Sequence, residues 1–247
     1  MAKLAGSFRS EREARTSYNR FDQTICVSEY VHKDFCQLLN FQNRCRVLYN
    51  TVESAEIIRL GNEAAPKLKE ETAIRLIAVG SLKKSKGYER LLRIVKRLTD
   101  VGYPIHLYVL GIGPLQQTIE QIIAEDGLQD YVTLLGYDTN PYQYVKKCDL
   151  FVCASFAEGF STAATEALIL GTPVCTVEVS GMKEMLGDHD EYGIVTENNE
   201  DALYDGIKQL LDQPERLSHY QKRAEIRGRD FSTEETVRAV EDMLLHL

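Results

Sequence analysis

The sequence predicts an α/β protein built on a doubly wound parallel sheet, and three observations carry that expectation. Short apolar runs alternate with helix-patterned stretches from Arg75 to Leu211, the order that repeated βα units produce. The apolar runs are nearly continuous rather than alternating, which suits strands covered by helices on both faces. Loops bearing glycine or small residues follow the runs ending at Val79, Leu110, Leu135 and Ala154, and open sheets of this class take their ligands beyond the carboxyl ends of their strands.

Taken in order, residues 1–20 mix acidic and basic side chains and have helical propensity without a good apolar face. Asp22 to Ser28 reads as a short strand, with Ser28 as a cap for a helix from Glu29 to Leu39. Arg46 to Tyr49 is a second short strand, ended by Asn50-Thr51-Val52-Glu53; these pieces are too small for a core of their own. The stretch 55–71, with Gly61 and Pro66, reads as charged and irregular. The alternation then begins with a strand, Arg75 to Gly80, and a helix, Tyr88 to Thr99, whose Leu91, Leu92, Ile94, Val95 and Leu98 gather on one face. A strand Ile105 to Leu110 and a helix Leu115 to Glu125 follow, then a strand Val132 to Leu135 and a short helix Pro141 to Lys147. The strand Leu150 to Ala154 precedes a helix Thr162 to Leu170, and the strand Pro173 to Val177 a helix Met182 to Leu186. A last strand, Gly193 to Thr196, leads to helices at Glu200 to Leu211, Pro214 to Arg229 and Thr233 to Leu247, the last with Val237, Val240, Leu244 and Leu247 at helical spacing.

Composition narrows the function. The 247 residues allow one large or two small domains, and a net charge of −8 argues against a nucleic-acid footprint. No apolar segment reaches the roughly 18 residues of a membrane span. The first ten residues, Met1 to Ser10, lack the apolar core of a signal peptide. Cys26, Cys36, Cys45, Cys148, Cys153 and Cys175 show no metal-type spacing, and the last three sit in or beside apolar runs as small hydrophobes. A reducing cytoplasm is the expected location.

The stretch from Ser155 to Leu168 organises the chain. It leaves an apolar strand, turns through Gly159 and opens a helix at Ser161 or Thr162, both good N-cap types. Free amides around Phe160, Ser161 and Thr162 and the positive helix end can hold an anion. Glu158 and Glu166 frame this turn. An ionised carboxylate only accepts hydrogen bonds and can take two from a diol, so the pair suits a ligand carrying both phosphate and hydroxyls, such as a nucleotide-sugar. Complementing a helix start is the alternative role for the two acids.

Other loops add candidates. Gly80-Ser81-Leu82-Lys83-Lys84-Ser85-Lys86-Gly87 joins a strand to a helix, and Lys86 can neutralise a diphosphate oxygen as a point charge, although lysine-rich turns are common on surfaces. Gly111-Ile112-Gly113-Pro114 is no dinucleotide fingerprint, because Gln116 stands where a third glycine would be. Tyr137 reads, on its residues alone, as a half-buried surface aromatic. Asp188-His189-Asp190 reads as a solvated turn rather than a metal pair, and His32, His106, His219 and His246 have no ligand spacing or triad partner.

The Glu158-x7-Glu166 pattern resembles the donor-site signature of the retaining glycosyltransferases of family 4, which have the GT-B fold. The resemblance covers about residues 20–247 and is specific from 74 to 200. Gly80 to Gly87 is similar to the family's "GRLxxxKG" element, in which Arg and Lys hold the donor diphosphate. Lys86 matches the Lys, while Ser81 stands where the Arg is usual, a departure that removes a contact worth about 1.5–3 kcal/mol; Lys83 or Lys84 could substitute. Gly113 falls in the family's "GxGp" turn and Tyr137 in its "lGyv" loop near the base. Asn140-Pro141-Tyr142 looks like a feature of polysaccharide-building members, and Ser180 to Glu184 resembles their "pGxxEil" segment. Val27-Ser28-Glu29 and Tyr49 to Glu53 resemble the end of the family's N-terminal domain and its linker.

The resemblance implies that Glu158 faces the donor sugar, that Glu166 accepts from the ribose hydroxyls, and that transfer retains anomeric configuration and needs no metal or other cofactor. It implies a remnant of an N-terminal domain at 1–53, a nucleotide-sugar-binding Rossmann-like domain at 54–230 and a cross-over helix at 231–247. Substrate contacts are then expected at Gly80, Ser81, Gly113, Tyr137, Gly159, Phe160, Ser161, Thr162 and Glu166, with Lys86 and Glu158 at the chemistry. The expected enzyme moves a sugar from a nucleotide-sugar to a glycan or lipid-linked acceptor in surface polysaccharide synthesis. The acceptor is expected on a missing N-terminal domain, with peripheral membrane association of the full enzyme. The alternative is a nucleotide-sugar-binding module without activity of its own, truncated or needing a partner half.

Overall fold

The computed structural model describes residues 10–39, 44–63, 68 and 73–246. Of the expectations above, those on residues 1–9, on Pro66 and on Leu247 lie outside the described residues. The chain runs α1 (Glu11–Tyr18), β1 (Thr24–Cys26), α2 (Glu29–Leu39), β2 (Cys45–Val47), α3 (Ser54–Gly61), β3 (Ile74–Val79), α4 (Tyr88–Asp100), β4 (Ile105–Leu110), α5 (Gln116–Glu125) and β5 (Val132–Gly136). It continues α6 (Tyr142–Lys147), β6 (Leu150–Cys153), α7 (Thr162–Ile169), β7 (Val174–Val177), α8 (Met182–Leu186), β8 (Ile194–Thr196), α9 (Glu200–Asp212), α10 (Pro214–Asp230) and α11 (Thr233–Leu245). No described helix is long and apolar enough to cross a membrane.

The doubly wound parallel sheet is present. Its six strands lie in the order β5-β4-β3-β6-β7-β8, every pairing parallel. Successive residues of each strand feed opposite faces, as the two-residue period demands. Leu76, Leu107, Val109, Leu150 and Val152 enter one core with Leu91, Ile94 and Val95 of α4. Ile77, Tyr108, Phe151 and Cys153 enter the other with Ala164 and Leu168 of α7 and Met182 and Met185 of α8. Each fully buried aliphatic side chain contributes about 1.5–3 kcal/mol, and this two-sided burial is why the strands read as unbroken apolar runs.

β1 and β2 form a separate parallel pair. Ser28 caps α2, its Oγ accepting from the Val31 amide at 3.1 Å. Tyr49, Phe160 and Phe231 join this small sheet to the larger one, with ring centroids 5.1–5.8 Å apart. Glu184 of α8 reinforces the joint, accepting from Tyr49 Oη at 2.6 Å and from the Glu29 amide at 2.9 and 3.0 Å. α11 starts beside α3, where Thr233 Oγ1 accepts from the Ser54 amide at 3.0 Å, and ends where Arg46 reaches the His246 carbonyl at 3.4 Å. Its Val237, Leu244 and Leu245 are exposed.

Two helices depart from the sequence expectation. The stretch from 55 is not irregular at its start: α3 occupies Ser54–Gly61, burying Ile57 and Gly61. Gly61 packs closely on the residue after α7, where an added Cβ would lie 2.5 Å from Leu170 Cδ2. α1 was expected only as a propensity. It forms through a cap, Ser10 Oγ accepting from the Glu13 amide at 3.2 Å, and through an edge contact of Tyr18 on Phe35.

Candidate functional site

The strand order reverses between β3 and β6: the chain builds outward from β3 through β4 and β5, then returns to β6 and builds the other way. Loops leaving adjacent strands in opposite directions open a crevice at the carboxyl ends. The β3–α4 loop (80–87) and the β6–α7 loop (154–161) are its walls. Lys86 and Glu158 come from these two walls and meet, Lys86 Nζ lying 2.7 Å from Glu158 Oε1.

Glycines bring the walls together. Gly87 has φ +68°, and a Cβ there would fall 1.9 Å from the Ala154 carbonyl oxygen. Gly111, at φ +145°, sits equally close to the Gly80 carbonyl. Gly113 rests on Leu82, its added Cβ 2.6 Å from that residue's amide nitrogen and carbonyl oxygen. Gly113 is thus wedged between loops, shaping the β3–α4 wall from behind. The amide of Phe156 donates to the Ser85 carbonyl at 2.7 Å. Arg90, buried in α4, donates to the carbonyls of Ala154 and Ser155 and to Asn198 Oδ1, with its guanidinium 4.3 Å from the Phe156 ring. Burial pushes the Arg90 pKa down, yet it remains the brace of the β6–α7 wall.

Glu158 is closely held. Ser155, itself buried, donates from Oγ to Glu158 Oε1 at 2.6 Å, the same oxygen that meets Lys86. Cys153 Sγ lies 3.4 Å from Ser155 Oγ and 3.8 Å from Glu158 Oε1. Burial drives the Cys153 thiol pKa upward, so it remains a thiol. Tyr88 donates to the Gly80 carbonyl at 2.9 Å and floors the crevice; burial, then Cys153 and Glu158, raise its pKa.

Beyond Glu158 the turn opens outward. A Cβ on Gly159 would meet nothing within 4 Å. Ser161 caps α7, its Oγ accepting from the Ala164 amide at 3.4 Å. The amides of Gly159, Phe160, Ser161 and Thr162 donate to no group among the described residues, the condition an anion site at a helix start requires. The Phe160 side chain points the other way, into the cluster with Tyr49 and Phe231, which anchors the turn.

Glu166 lies one turn into α7, apart from the Lys86–Glu158 pair. Its carboxylate accepts from Tyr142 Oη at 3.2 Å. Burial raises the Glu166 pKa, partly offset by that hydroxyl. Tyr137 corrects one expectation: it is not half-buried but 71% exposed. The reason is local. β5 slips in register where Leu110 pairs with Gly136, and Gly136 takes φ +72°, swinging the next side chain outward. Gly80 and Ser81 begin the β3–α4 wall beside the Lys86 stem, and Lys83 and Lys84 are exposed on it.

The acidic loop is a structured turn. Asp190 takes φ +57° and its carboxylate accepts from the Val195 amide at 2.9 Å, while Glu191 accepts from the His189 amide at 3.0 Å. Ser155, Tyr142 and Arg90 were not singled out as site residues from sequence. Ser155 had a signal, a hydroxyl at the strand end three residues before the acid. Tyr142 lay in a noted motif, and Arg90 gave none, since a cation in an amphipathic helix reads as solvated.

Residues 62–227 match the family described as Glycosyl transferases group 1. The N-acetylgalactosamine-N,N'-diacetylbacillosaminyl-diphospho-undecaprenol 4-alpha-N-acetylgalactosaminyltransferase of Campylobacter jejuni is 34% identical over 210 residues, 83% of this chain and 53% of that enzyme. The lipopolysaccharide core biosynthesis glycosyltransferase LpsD of Rhizobium meliloti is 29% identical over 149 residues, 59% of this chain and 42% of that one. The chain thus spans about half the length of these relatives or less. Among solved structures, HepE of Anabaena in complex with UDP superposes with a TM-score of 0.83 at 20% identity, covering 96% of this chain and 67% of that one, a likeness of fold.

Proposed function

The chain belongs to the group 1 glycosyl transferases, and from that premise we propose that it is the donor-binding part of an enzyme transferring a sugar from a nucleotide-sugar to a glycan or lipid-linked acceptor. One observation carries the reading: Lys86 and Glu158 meet at 2.7 Å across the crevice where the strand order reverses, beside the open amides of α7. The relatives named for an undecaprenol-linked substrate and for lipopolysaccharide core synthesis support a polysaccharide-building role. The UDP in the HepE complex supports a nucleoside diphosphate as the donor's handle.

As the glycosidic bond to the donor breaks, negative charge grows on the leaving diphosphate. Fixed positive groups at those oxygens lower the barrier most, because they need no reorganisation. In this scheme the α7 amides and Lys86 hold the diphosphate, and Lys86 exchanges one carboxylate partner for phosphate oxygens. Glu158 keeps its Ser155 bond and turns its other oxygen to the sugar. Glu166 takes the ribose hydroxyls and Tyr137 offers a face to the base. The transfer proceeds with retention and without a metal, the acceptor being held by a further domain, with peripheral membrane association of the whole enzyme.

Calorimetric titration with UDP, GDP and their sugars tests this reading. We expect binding of one nucleotide series, weakened but still measurable in Glu166→Ala. Undiminished affinity in that variant would remove Glu166 from the site, and no binding of any nucleotide would overturn the function.

A further inference from the structure

Tyr142 opens α6, and the scheme above gives it no task. Its hydroxyl makes the one hydrogen bond that reaches the Glu166 carboxylate from a described residue, 3.2 Å to Oε1. The tyrosine is held in place from both sides. Asp138 accepts from the Asn140 amide at 2.8 Å and from Tyr144 Oη at 3.0 Å, fixing the entry to α6. Asn140 Nδ2 donates to the Leu60 carbonyl at 3.1 Å just before α6, and Lys146 Nζ near its end reaches Asn62 Oδ1, so α6 is held to the end of α3 at both of its ends. Gly61 sits against α6, where an added Cβ would lie 3.3 Å from Lys146 Cδ and 3.7 Å from the Tyr142 carbonyl.

A carboxylate has two oxygens, and a diol that donates to it uses both only when the carboxylate plane is fixed. A loose Glu loses rotamer freedom on being fixed. A hydroxyl that already holds Oε1 removes much of that cost and leaves Oε2, with the second lone pair of Oε1, for a ligand. We propose that Tyr142 is a positioning residue that presents the Glu166 carboxylate to the ribose diol of the donor, so that the site selects ribonucleotides over 2′-deoxyribonucleotides. This rests on the reading of Glu166 given above. Charge supports it. Burial favours the protonated acid at Glu166, and the Tyr142 hydroxyl opposes that, keeping an acceptor where one is needed. Tyr142 itself is pushed up to about 12 by burial, by Glu166 and more weakly by Glu56 of α3, so it stays a donor at neutral pH.

The test titrates UDP, GDP and their 2′-deoxy forms into this chain, into Tyr142→Phe and into Glu166→Ala. For the wild type we expect the ribo form of the better nucleotide to bind about tenfold tighter than its deoxy form. In Tyr142→Phe the ratio falls toward one, mainly through weaker ribo binding, with the deoxy form little changed. In that variant the acid limb of ribo binding also moves to higher pH. A Tyr142→Phe protein that folds normally and keeps the full ratio, beside a Glu166→Ala protein that loses it, overturns the role of Tyr142 while leaving Glu166 in the site. A wild type without the ratio, or one in which Glu166→Ala retains it, overturns the Glu166 reading and this proposal together.

Discussion

Glu158 and Glu166 are the same residue type, eight positions apart on one turn and helix, yet the fold treats them in opposite ways. Glu158 is surrounded by compensation, with an ammonium at 2.7 Å and a buried hydroxyl at 2.6 Å on one oxygen. Glu166 is desolvated and has one tyrosine hydroxyl for it. A charge with a cation and a donor beside it is well compensated, whereas a half-buried carboxylate with one neutral donor keeps acceptor capacity that no described residue fills. The crevice end of the turn is therefore closed within the chain, and the α7 end is the one that the proposed function assigns to the ligand's hydroxyls.

The hardest way to break this contrast is to force the two walls apart. Gly87→Ala places a methyl group 1.9 Å from the Ala154 carbonyl in a left-handed conformation, which should cost about 3 kcal/mol or more and lower Tm by about 6–12 °C in a chain of this size. Calorimetric melting checks it, and an unchanged Tm would mean that the walls do not meet as described. Lys86→Ala comes next. In the proposed scheme it removes a charge-assisted contact to the diphosphate, and titration should then read a loss of about tenfold to a hundredfold in nucleotide affinity. Loss of UDP-sugar binding with UDP binding intact would instead place Lys86 at the sugar alone.

Glu166→Gln sharpens the other side. Burial raises the Glu166 pKa above its ordinary value. Linkage then gives the carboxyl a stability contribution that is present below the unfolded pKa and lost as pH rises through the folded one. The neutral amide escapes that loss. The variant should melt higher than wild type at pH 7, with the difference shrinking toward pH 4, while its nucleotide affinity falls. A variant that melts lower at pH 7 would mean that Glu166 is already well compensated. The smallest effect belongs to Tyr137→Ala. So exposed a side chain should change stability by no more than about 0.5 kcal/mol, while base stacking would make affinity fall severalfold or more. Equal affinity in the two proteins would remove Tyr137 from the base site.

Much of this was readable in the chain. The boundaries of α2, β4 and α8 were predicted to the residue, because each is bounded by a capping, turn or glycine residue beside an unbroken apolar pattern. α3 was not readable, since a helix of eight residues with Ile57 and Gly61 as its buried positions is too short to show a sustained apolar period. The cap of α7 was legible as Ser161 or Thr162, and the structure places it at Ser161; Glu158, Lys86 and Glu166 were legible as candidates from local spacing. Their partners were not: Ser155 and Tyr142 earn a role only by what they touch.

By itself the sequence determined the strand–helix alternation, the capped start of α7 and the supply of acids and lysines at strand ends, because those are written in periods of two and 3.6 residues and in turn chemistry. The tertiary structure alone decided that residues 72 apart form one ion pair, that Tyr142 reaches Glu166 across 24 positions, and that Phe160 faces Tyr49 rather than the crevice. The physical reason is that strand order in a sheet is set by long-range burial, and no local pattern records which loops that order brings face to face.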